Sequence, residues 1–247
     1  MPINILINGA QGKMGRTTVA AIANEKDLRL VATTSRHDDL TRAIQAHKAD
    51  VVIDFTLPDC VFENAQKIIA AGSRPVIGTS GLTQTQIETL AAECVNKKRG
   101  GIIAPNFSIG AILMMHFSKE AARYFPDAEI IEYHHPQKVD APSATAKKTA
   151  ELIAESKREK NKSAVIDAAK KQSARGEHYQ GVPIHAIRMS GMFASQSVIF
   201  SDHDEMLTLQ HETRDRRAMM PGVFLCCRQV MTLDHLVYGM ESFLQKT

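Results

Sequence analysis

The chain has little excess charge and no long apolar run. Lys and Arg number 30 and Asp and Glu 27, so the formal net charge of the 247 residues is +3 with His counted neutral. This charge is too small to indicate nucleic-acid binding by itself. Since no long uncharged apolar run occurs, we expect neither a membrane-spanning helix nor a membrane partner.

Cysteine is scarce, with four residues and no C-x-x-C pair. The N-terminal residues lack a cationic stretch, and the apolar run Ile3 to Ile7 is too short for a signal-peptide core. We therefore expect a cytoplasmic protein with reduced thiols. The 44% of hydrophobic and 23% of charged residues are typical of a globular protein with a substantial core.

Short apolar runs alternate with amphipathic stretches in the first half of the chain. The runs predict five strands, at Ile3–Asn8, Leu28–Thr34, Asp50–Thr56, Pro75–Ser80 and Gly101–Pro105. Thr83 and Gln86 predict a capping box at the start of a helix between the last two strands. This alternation predicts an α/β fold in which helices cover a parallel sheet, as in a Rossmann dinucleotide-binding domain.

The pattern changes after Asn106. A long apolar helix is predicted over Ile109–Phe125, followed by a strand at Glu129–His134 and a helix at Ser143–Ser156. Further strands are predicted at Ile184–Met189, Ser197–Phe200 and Glu205–His211, spaced for a mixed or antiparallel sheet, and helical spacing follows over Ala218–Phe243. We interpret residues 1–106 and 217–247 as the dinucleotide-binding domain and residues 107–216 as an inserted α+β domain. The charge-rich segment Glu155–Arg175 is predicted to be a solvated helix and loop.

A glycine-rich loop follows the first predicted strand and opens the first predicted helix, with the sequence Gly9-Ala10-Gln11-Gly12-Lys13-Met14-Gly15. Gly9 can form the tight turn, Gly12 can let the backbone approach a pyrophosphate, and Gly15 can let the helix pack close to the sheet. The helix N-terminus would then offer amide donors to the phosphates. The spacing is G-x-x-G-x-x-G rather than G-x-G-x-x-G, and a tight turn without a ligand is the alternative.

The end of the second predicted strand bears on the choice of nucleotide. A site that prefers NAD usually carries an acid near this point to hold the ribose hydroxyls. Here the strand ends in Ser35 and Arg36, with Asp38 and Asp39 farther on. Because Ser35 can donate to a phosphate and Arg36 can pair with it in a fork, NADPH is favoured over NADH.

The segment from Glu132 to Ala146 is the richest in chemically active groups. His134 and His135 can exchange protons near neutrality, and Lys138 offers a positive charge and donors to an anion. Pro142 and Ser143 indicate a helix start whose free amides could hold a carboxylate. The residues fit no standard zinc spacing, so no metal is expected, although an ordinary polar loop stays possible from this segment alone.

This segment resembles the signature E-x-H-H-x-x-K-x-D-A-P-S-G-T-A of the 4-hydroxy-tetrahydrodipicolinate reductase family. Four further segments resemble motifs of that family and follow in its order, namely Gly9–Arg16, Asp54–Pro58, Ile77–Gly81 and Pro105–Gly110. The resemblance therefore covers most of the chain. It implies a Rossmann domain joined to an α+β domain that binds substrate and assembles a homotetramer.

The family resemblance also implies roles for individual residues. It assigns proton exchange to His134, proton donation to Lys138, and contacts with a cyclic dicarboxylate substrate to His135, Ala144 and Thr145. It places NADPH or NADH against Gly9, Ala10, Gln11, Gly12, Lys13, Met14, Gly78, Thr79, Ser80, Ala104, Pro105, Asn106 and Phe107. The implied reaction is reduction of 4-hydroxy-tetrahydrodipicolinate to tetrahydrodipicolinate, in the biosynthesis of lysine and diaminopimelate.

Two departures from the family pattern keep other functions open. Ala144 replaces the signature glycine, and Ala194-Ser195-Gln196 stands where the family usually has G-E-H. Both bear on substrate geometry more than on the cofactor. The alternatives are a different NADP-dependent dehydrogenase of similar build and a nucleotide-binding sensor descended from a reductase.

Overall fold

The computed structural model describes residues 1–159 and 173–244. They divide into two units, one formed by residues 1–109 with 216–244 and the other by residues 110–159 with 173–215. No helix in the described ranges is long and apolar enough to cross a membrane. Part of the predicted helix and loop at Glu155–Arg175 lies outside the described residues.

The first unit contains a six-stranded parallel sheet, which confirms the predicted α/β class. Its strands are β1 (Ile3–Asn8), β2 (Leu28–Thr34), β3 (Val51–Asp54), β4 (Arg74–Ile77), β5 (Gly101–Ile103) and β11 (Leu236–Tyr238). They lie in the order β11-β5-β4-β3-β1-β2. All side chains of β3 are buried, as in a parallel strand covered on both faces.

Six α-helices belong to this unit: α1 (Lys13–Ile22), α2 (Leu40–His47), α3 (Val61–Ala70), α4 (Gln84–Lys97), α7 (Met220–Gln229) and α8 (Glu241–Leu244). Short 3-10 helices cover Arg216–Met219 and Val230–Thr232. The predicted capping box is confirmed, because Thr83 and Gln86 each bond the other's backbone amide at the start of α4. Helix α2 was not predicted; the Asp39 carboxylate caps it by accepting from the Arg42 amide.

The prediction of continuous helical spacing over Ala218–Phe243 is wrong beyond Gln229. The chain forms β11 at Leu236–Tyr238, which pairs in parallel with β5 and adds a sixth strand to the sheet. A three-residue strand is too short to show an alternating pattern, so its periodicity could not separate it from a helix.

The second unit contains a five-stranded mixed sheet, as predicted. Helix α5 (Ile109–Ala121) leads into it and ends before the predicted Phe125, where turns precede Pro126. The remaining elements are β6 (Asp127–His134), α6 (Ala144–Glu159), a 3-10 turn (Ser173–Arg175), β7 (Glu177–Tyr179), β8 (Val182–Arg188), β9 (Ala194–Asp202) and β10 (Glu205–Thr213). The order is β10-β9-β6-β8-β7, with β6 and β8 parallel and the other pairs antiparallel.

Candidate active site

The order in which the chain adds strands to the sheet of the first unit reverses at β1. Strand β2 lies on one side of β1 and β3 on the other, and in open α/β sheets such a point forms a crevice at the carboxyl ends of the strands. The predicted cofactor segments all follow strands at this edge: Gly9–Met14 after β1, Ser35 and Arg36 after β2, Gly78–Ser80 after β4, and Ala104–Phe107 after β5.

The glycine loop after β1 is closed by backbone contacts that exclude a side chain. Gly9 has φ +80°, and a Cβ there would lie 2.4 Å from the Phe55 carbonyl oxygen. A Cβ on Gly15 would lie 2.3 Å from the Gly9 carbonyl oxygen. Helix α1 starts after Gly12 with no side-chain cap and no acid in its first turn. Its first amides are therefore available to an anion such as a pyrophosphate.

Asp54 ends β3 and opens the motif Asp54–Pro58, and the sequence alone indicates no role for it. Its fully buried carboxylate accepts hydrogen bonds from Asn8 Nδ2 (2.9 Å), Thr56 Oγ1 (2.6 Å) and Thr79 Oγ1 (2.8 Å). Asn8 Oδ1 in turn accepts from Thr34 Oγ1 at 2.9 Å. These bonds join the carboxyl ends of β1, β2 and β3 to the loop after β4. An acid ending an apolar strand was the available signal, because a buried carboxylate requires such partners.

Two aromatic rings fix the loops after β3 and β5. The rings of Phe55 and Phe107 meet edge to face, with centroids 5.8 Å apart. A Cβ on Gly78 would lie 2.3 Å from the Phe55 ring and 2.7 Å from the Phe107 ring, so glycine is needed between them. Asn106 Oδ1 accepts from the Ser108 amide at 2.8 Å and shapes the turn before α5.

Asp38, which follows the end of β2 in sequence, folds back onto Ser35. Both the amide and the hydroxyl of Ser35 donate to the Asp38 carboxylate at 2.8 Å. These bonds from Ser35 lower the pKa of Asp38 below its ordinary value. An acid therefore does stand at this strand end, next to the exposed Arg36.

In the second unit, His134 ends β6 beside a buried glutamate. Its Nδ1 lies 2.5 Å from Oε2 of Glu132, which is fully buried. Arg188, at the end of the neighbouring β8, donates to both oxygens of Glu132 at 2.9 Å. Burial raises the pKa of Glu132, but the bonds from His134 and Arg188 outweigh it and hold that pKa below its ordinary value.

Glu132 also holds the start of α6. Its Oε1 accepts from the Ser143 amide at 3.1 Å, and the Ser143 hydroxyl caps the helix by accepting from the Ala146 amide at 3.2 Å. The amides of Ala144 and Thr145 lie in the first turn, where helical amides have no intrahelical acceptor. The predicted carboxylate site therefore lies at the start of a helix fixed by the carboxylate that contacts His134.

Lys138 and His135 lie in the turn that follows β6. The Lys138 amide donates to the His135 carbonyl at 3.1 Å, which makes the turn compact. Lys138 Nζ contacts both oxygens of Asp140, at 2.8 and 2.9 Å, and this contact lowers the pKa of Asp140. Nδ1 of His135 is buried and has no hydrogen-bond partner in the described part of the chain.

The two departures from the family signature occupy different surroundings. Ala144 is the first residue of α6, and its methyl group is exposed. Gln196 is buried on β9 directly opposite Glu132, and its Nε2 donates to Thr149 Oγ1 at 2.8 Å. Thr149 Oγ1 donates to the Thr145 carbonyl at 2.8 Å. Gln196 is therefore linked through Thr149 to the first turns of α6.

No group of three or more His, Cys, Asp or Glu side chains in residues 1–159 and 173–244 could hold a metal ion. Three side chains of the signature segment are of types that bind metals; of these, Glu132 and His134 contact each other, while Asp140 pairs with Lys138. These groups form hydrogen bonds and ion pairs suited to proton exchange and anion binding.

Two models of one protein family match this chain. The model of the N-terminus of dihydrodipicolinate reductase matches residues 3–107, and the model of its C-terminus matches residues 110–244. The chain belongs to the dihydrodipicolinate reductase family. This result confirms the resemblance that the five sequence motifs indicated.

Individual relatives agree with the family match over nearly the whole chain. A 4-hydroxy-tetrahydrodipicolinate reductase of Coxiella burnetii is 56% identical over 244 residues, which cover 99% of this chain and 100% of that protein. The enzyme of the same name from Legionella pneumophila is 48% identical over 245 residues, with the same coverage. A dipicolinate-bound dihydrodipicolinate reductase structure from Paenisporosarcina sp. TG-14 has a TM-score of 0.89 and 39% identity, and the match covers 98% of this chain and 99% of that one.

Proposed function

We propose that the protein reduces 4-hydroxy-tetrahydrodipicolinate to tetrahydrodipicolinate with NADPH or NADH, in the biosynthesis of lysine and diaminopimelate. The observation that carries the proposal is the buried carboxylate of Glu132, which contacts both His134 and the Ser143 amide at the start of α6, while Lys138 lies in the compact turn that follows His134. The family match supports it over residues 3–107 and 110–244. Residues 1–106 with 217–247 would bind the dinucleotide, and residues 107–216 the substrate.

The first unit has the features that a dinucleotide requires. Gly9 and Gly15 leave no room for side chains inside the loop, and α1 begins with uncapped amides. We assign the phosphates to Gly9, Ala10, Gln11, Gly12, Lys13 and Met14, the ribose to Ser35 and Arg36, and the nicotinamide half to the segments Gly78–Ser80 and Ala104–Phe107. The cofactor, when bound, supplies the hydride.

The second unit would bind the cyclic dicarboxylate and supply the proton. The amides of Ala144 and Thr145, with the Thr145 hydroxyl, would hold one carboxylate, and His135 would contact the substrate. His134 would exchange a proton, and Lys138 would donate one and offset negative charge. The substrate gains a hydride and a proton and loses its 4-hydroxyl group as water.

The assembly and location follow from the same proposal. We infer a homotetramer formed through the second unit, where the edge strand β10 exposes Met206 and Leu207. An exposed apolar edge strand favours association with another chain. A cytoplasmic location is supported by the free thiols of all four cysteines, two of which, Cys226 and Cys227, are buried in α7.

Substitution of the two proton-transfer residues tests the proposed reaction. We expect His134→Ala and Lys138→Ala each to lower kcat by about 10²- to 10⁴-fold with freshly generated substrate, because each removes a general acid or base. Nicotinamide absorbance measures the rate, and calorimetry with NADPH should show unchanged binding. His135→Ala should act mainly on KM, because it removes a substrate contact.

His185→Ala is the matched control, since His185 also contacts a glutamate of β6, with Nε2 2.9 Å from Glu129. It should keep the wild-type rate. Near-normal turnover of both His134→Ala and Lys138→Ala would refute the proposed mechanism. A wild-type protein that binds NADPH and reduces no substrate would instead indicate the nucleotide sensor.

A further inference from the structure

Glu132 is the one carboxylate in the described residues that contacts both His134 and the start of α6. It is fully buried at the end of β6 and accepts from four groups: His134 Nδ1, two nitrogens of Arg188 and the Ser143 amide. A buried carboxylate with four donors and a bidentate arginine is held in one orientation. A carboxylate held in this way fixes the positions of the groups that donate to it.

We propose that Glu132 is the positioning residue of the active site, which fixes the tautomer of His134 and the position of the α6 N-terminus together. The catalytic significance of this inference rests on the proposed reductase function, whereas the contacts of Glu132 do not depend on it. Glu132 contacts neither the substrate nor the cofactor in this assignment; it acts through His134 and Ser143.

The tautomer follows from the inventory of donors. An ionised carboxylate can only accept, so the hydrogen of the contact with His134 must lie on Nδ1. In the neutral imidazole, Nε2 is then the nitrogen without a hydrogen. Glu132 thereby selects Nε2 as the atom at which His134 exchanges a proton with a substrate.

The same carboxylate holds the proposed substrate-binding helix. The bond to the Ser143 amide acts on the residue that caps α6, one position before Ala144. A shift of Glu132 would therefore move the proton-exchanging ring and the anion-binding amides together. A misplacement of about 1 Å can lower a rate by about 10²-fold, so the loss of this shared positioning should slow the reaction.

Glu132→Gln keeps the size of the side chain and changes its charge and hydrogen bonds, so it tests the positioning role rather than the packing. An amide has one NH₂ group, and either of its two orientations places that group against two donors. In one orientation it faces His134 Nδ1 and an Arg188 nitrogen, and in the other it faces the Ser143 amide and the second Arg188 nitrogen. The first orientation forces the hydrogen of His134 onto Nε2, and the second removes the acceptor of Ser143.

We expect Glu132→Gln to lower kcat by about 10²- to 10⁴-fold and to raise KM, since a misplacement of about 1 Å costs about 10² in rate and a wrong tautomer of a catalytic histidine costs about 10⁴. The matched control is Glu129→Gln, since Glu129 lies on the same strand and also contacts a histidine and an arginine, His185 and Arg175. That variant should keep kcat within about twofold. A Glu132→Gln protein that folds and turns over like the control would overturn the proposal.

Nitrogen NMR of the imidazole side chains provides a test that needs neither a variant of Glu132 nor enzyme activity. In ¹⁵N-labelled wild-type protein, with the signals of His134 identified by their loss in His134→Gln, neutral His134 should carry its hydrogen on Nδ1. A hydrogen on Nε2 would overturn the proposal even if Glu132→Gln did not fold. If the wild-type protein reduced no substrate, the proposed function would fail, while the tautomer would still decide the role of Glu132.

Discussion

Asp38 is the residue whose position most changes the expected cofactor preference. Its carboxylate accepts from the amide and the hydroxyl of Ser35 and is exposed at the end of β2. The Ser35 hydroxyl is therefore engaged, and a negative charge lies close to the place proposed for a ribose phosphate. Arg36 remains the group that would attract that phosphate.

Opposite changes in cofactor selectivity are expected at these two residues. Arg36→Ala should weaken NADP⁺ binding more than NAD⁺ binding, because only NADP⁺ offers the phosphate. Asp38→Asn should shift the ratio of the two dissociation constants roughly fivefold toward NADP⁺, since one charge repulsion near the surface is worth ~1 kcal/mol. Calorimetry with both nucleotides measures the ratio.

Asp39→Asn is the control for the loss of charge at Asp38. Asp39 caps α2, where asparagine caps equally well, and it has no bond to Ser35. Its selectivity should change less than that of Asp38→Asn. Equal losses for both nucleotides in Arg36→Ala would remove Arg36 from the phosphate site.

At the scale of elements, the turn from β1 into α1 contains glycines with different structural demands. A Cβ on Gly15 meets backbone at 2.3 Å, whereas a Cβ on Gly12 lies 3.3 Å from the Gly9 carbonyl oxygen. The loop can adjust to the second contact by a small shift, but the first would push α1 away from the sheet. Gly15 is thus required by the fold, while Gly12 borders the proposed phosphate position.

We therefore expect Gly12→Val and Gly15→Ala to fail in different ways. Gly12→Val should retain the cooperative unfolding transition but weaken NADPH binding by about 10²-fold or more, because its branched side chain stands where the pyrophosphate approaches. Gly15→Ala should lower the free energy of unfolding by several kcal/mol, as over-packing against backbone does. Thermal melts and calorimetry separate the two effects, and unchanged binding by Gly12→Val would place the cofactor elsewhere.

Periodicity predicted the elements that are long or strongly patterned. The strands of the first sheet up to β5, the capping box of α4 and the strands β8 to β10 agree with the structure within a few residues. The pattern missed α2, β7 and β11, all short elements, and the last two have three residues each. In such elements tertiary pairing decides the conformation, because so few residues show no period.

At the scale of the molecule, the first unit is built from both ends of the sequence. Arg228 at the end of α7 donates to both oxygens of Asp27, at 2.7 and 2.8 Å, although the two residues are 201 positions apart. It also contacts Glu25. The hydrogen bond from Arg228 is the main reason that the pKa of Asp27 is lowered from 3.8 to about 2.

Loss of the ion pair between Arg228 and Asp27 should give a pH-dependent change in the free energy of unfolding. A carboxylate whose pKa is lower in the folded state stabilises the fold above its unfolded pKa of 3.8, and the benefit is lost as pH falls through about 2. Arg228→Met should therefore lower the free energy of unfolding at neutral pH, and its difference from wild type should shrink across that interval. Since 37% of Arg228 and 55% of Asp27 is exposed, we expect a difference of at most ~1 kcal/mol.

Arg29→Met provides the control for this pH effect, because Arg29 donates to the neutral amide oxygen of Asn4. Its cost should not vary with pH over the same range. Denaturant unfolding at several pH values measures both variants. A constant difference between Arg228→Met and wild type down to pH 2 would contradict the assignment of the acid effect to this pair.

The sequence by itself determined the family, the α/β class and the proposed His134 and Lys138 sites, because local pattern and motif order carry that information. Only the tertiary structure showed the hydrogen bonds of Asp54, Glu132 and Asp38. Asp54 and Glu132 are fully buried, and each accepts from donors on strands and loops that are distant in sequence as well as from a residue two positions away. Asp38 returns to Ser35 through a turn whose direction the composition does not specify. A buried carboxylate is stable only where the fold assembles its donors, so its role becomes visible only when those elements are in place.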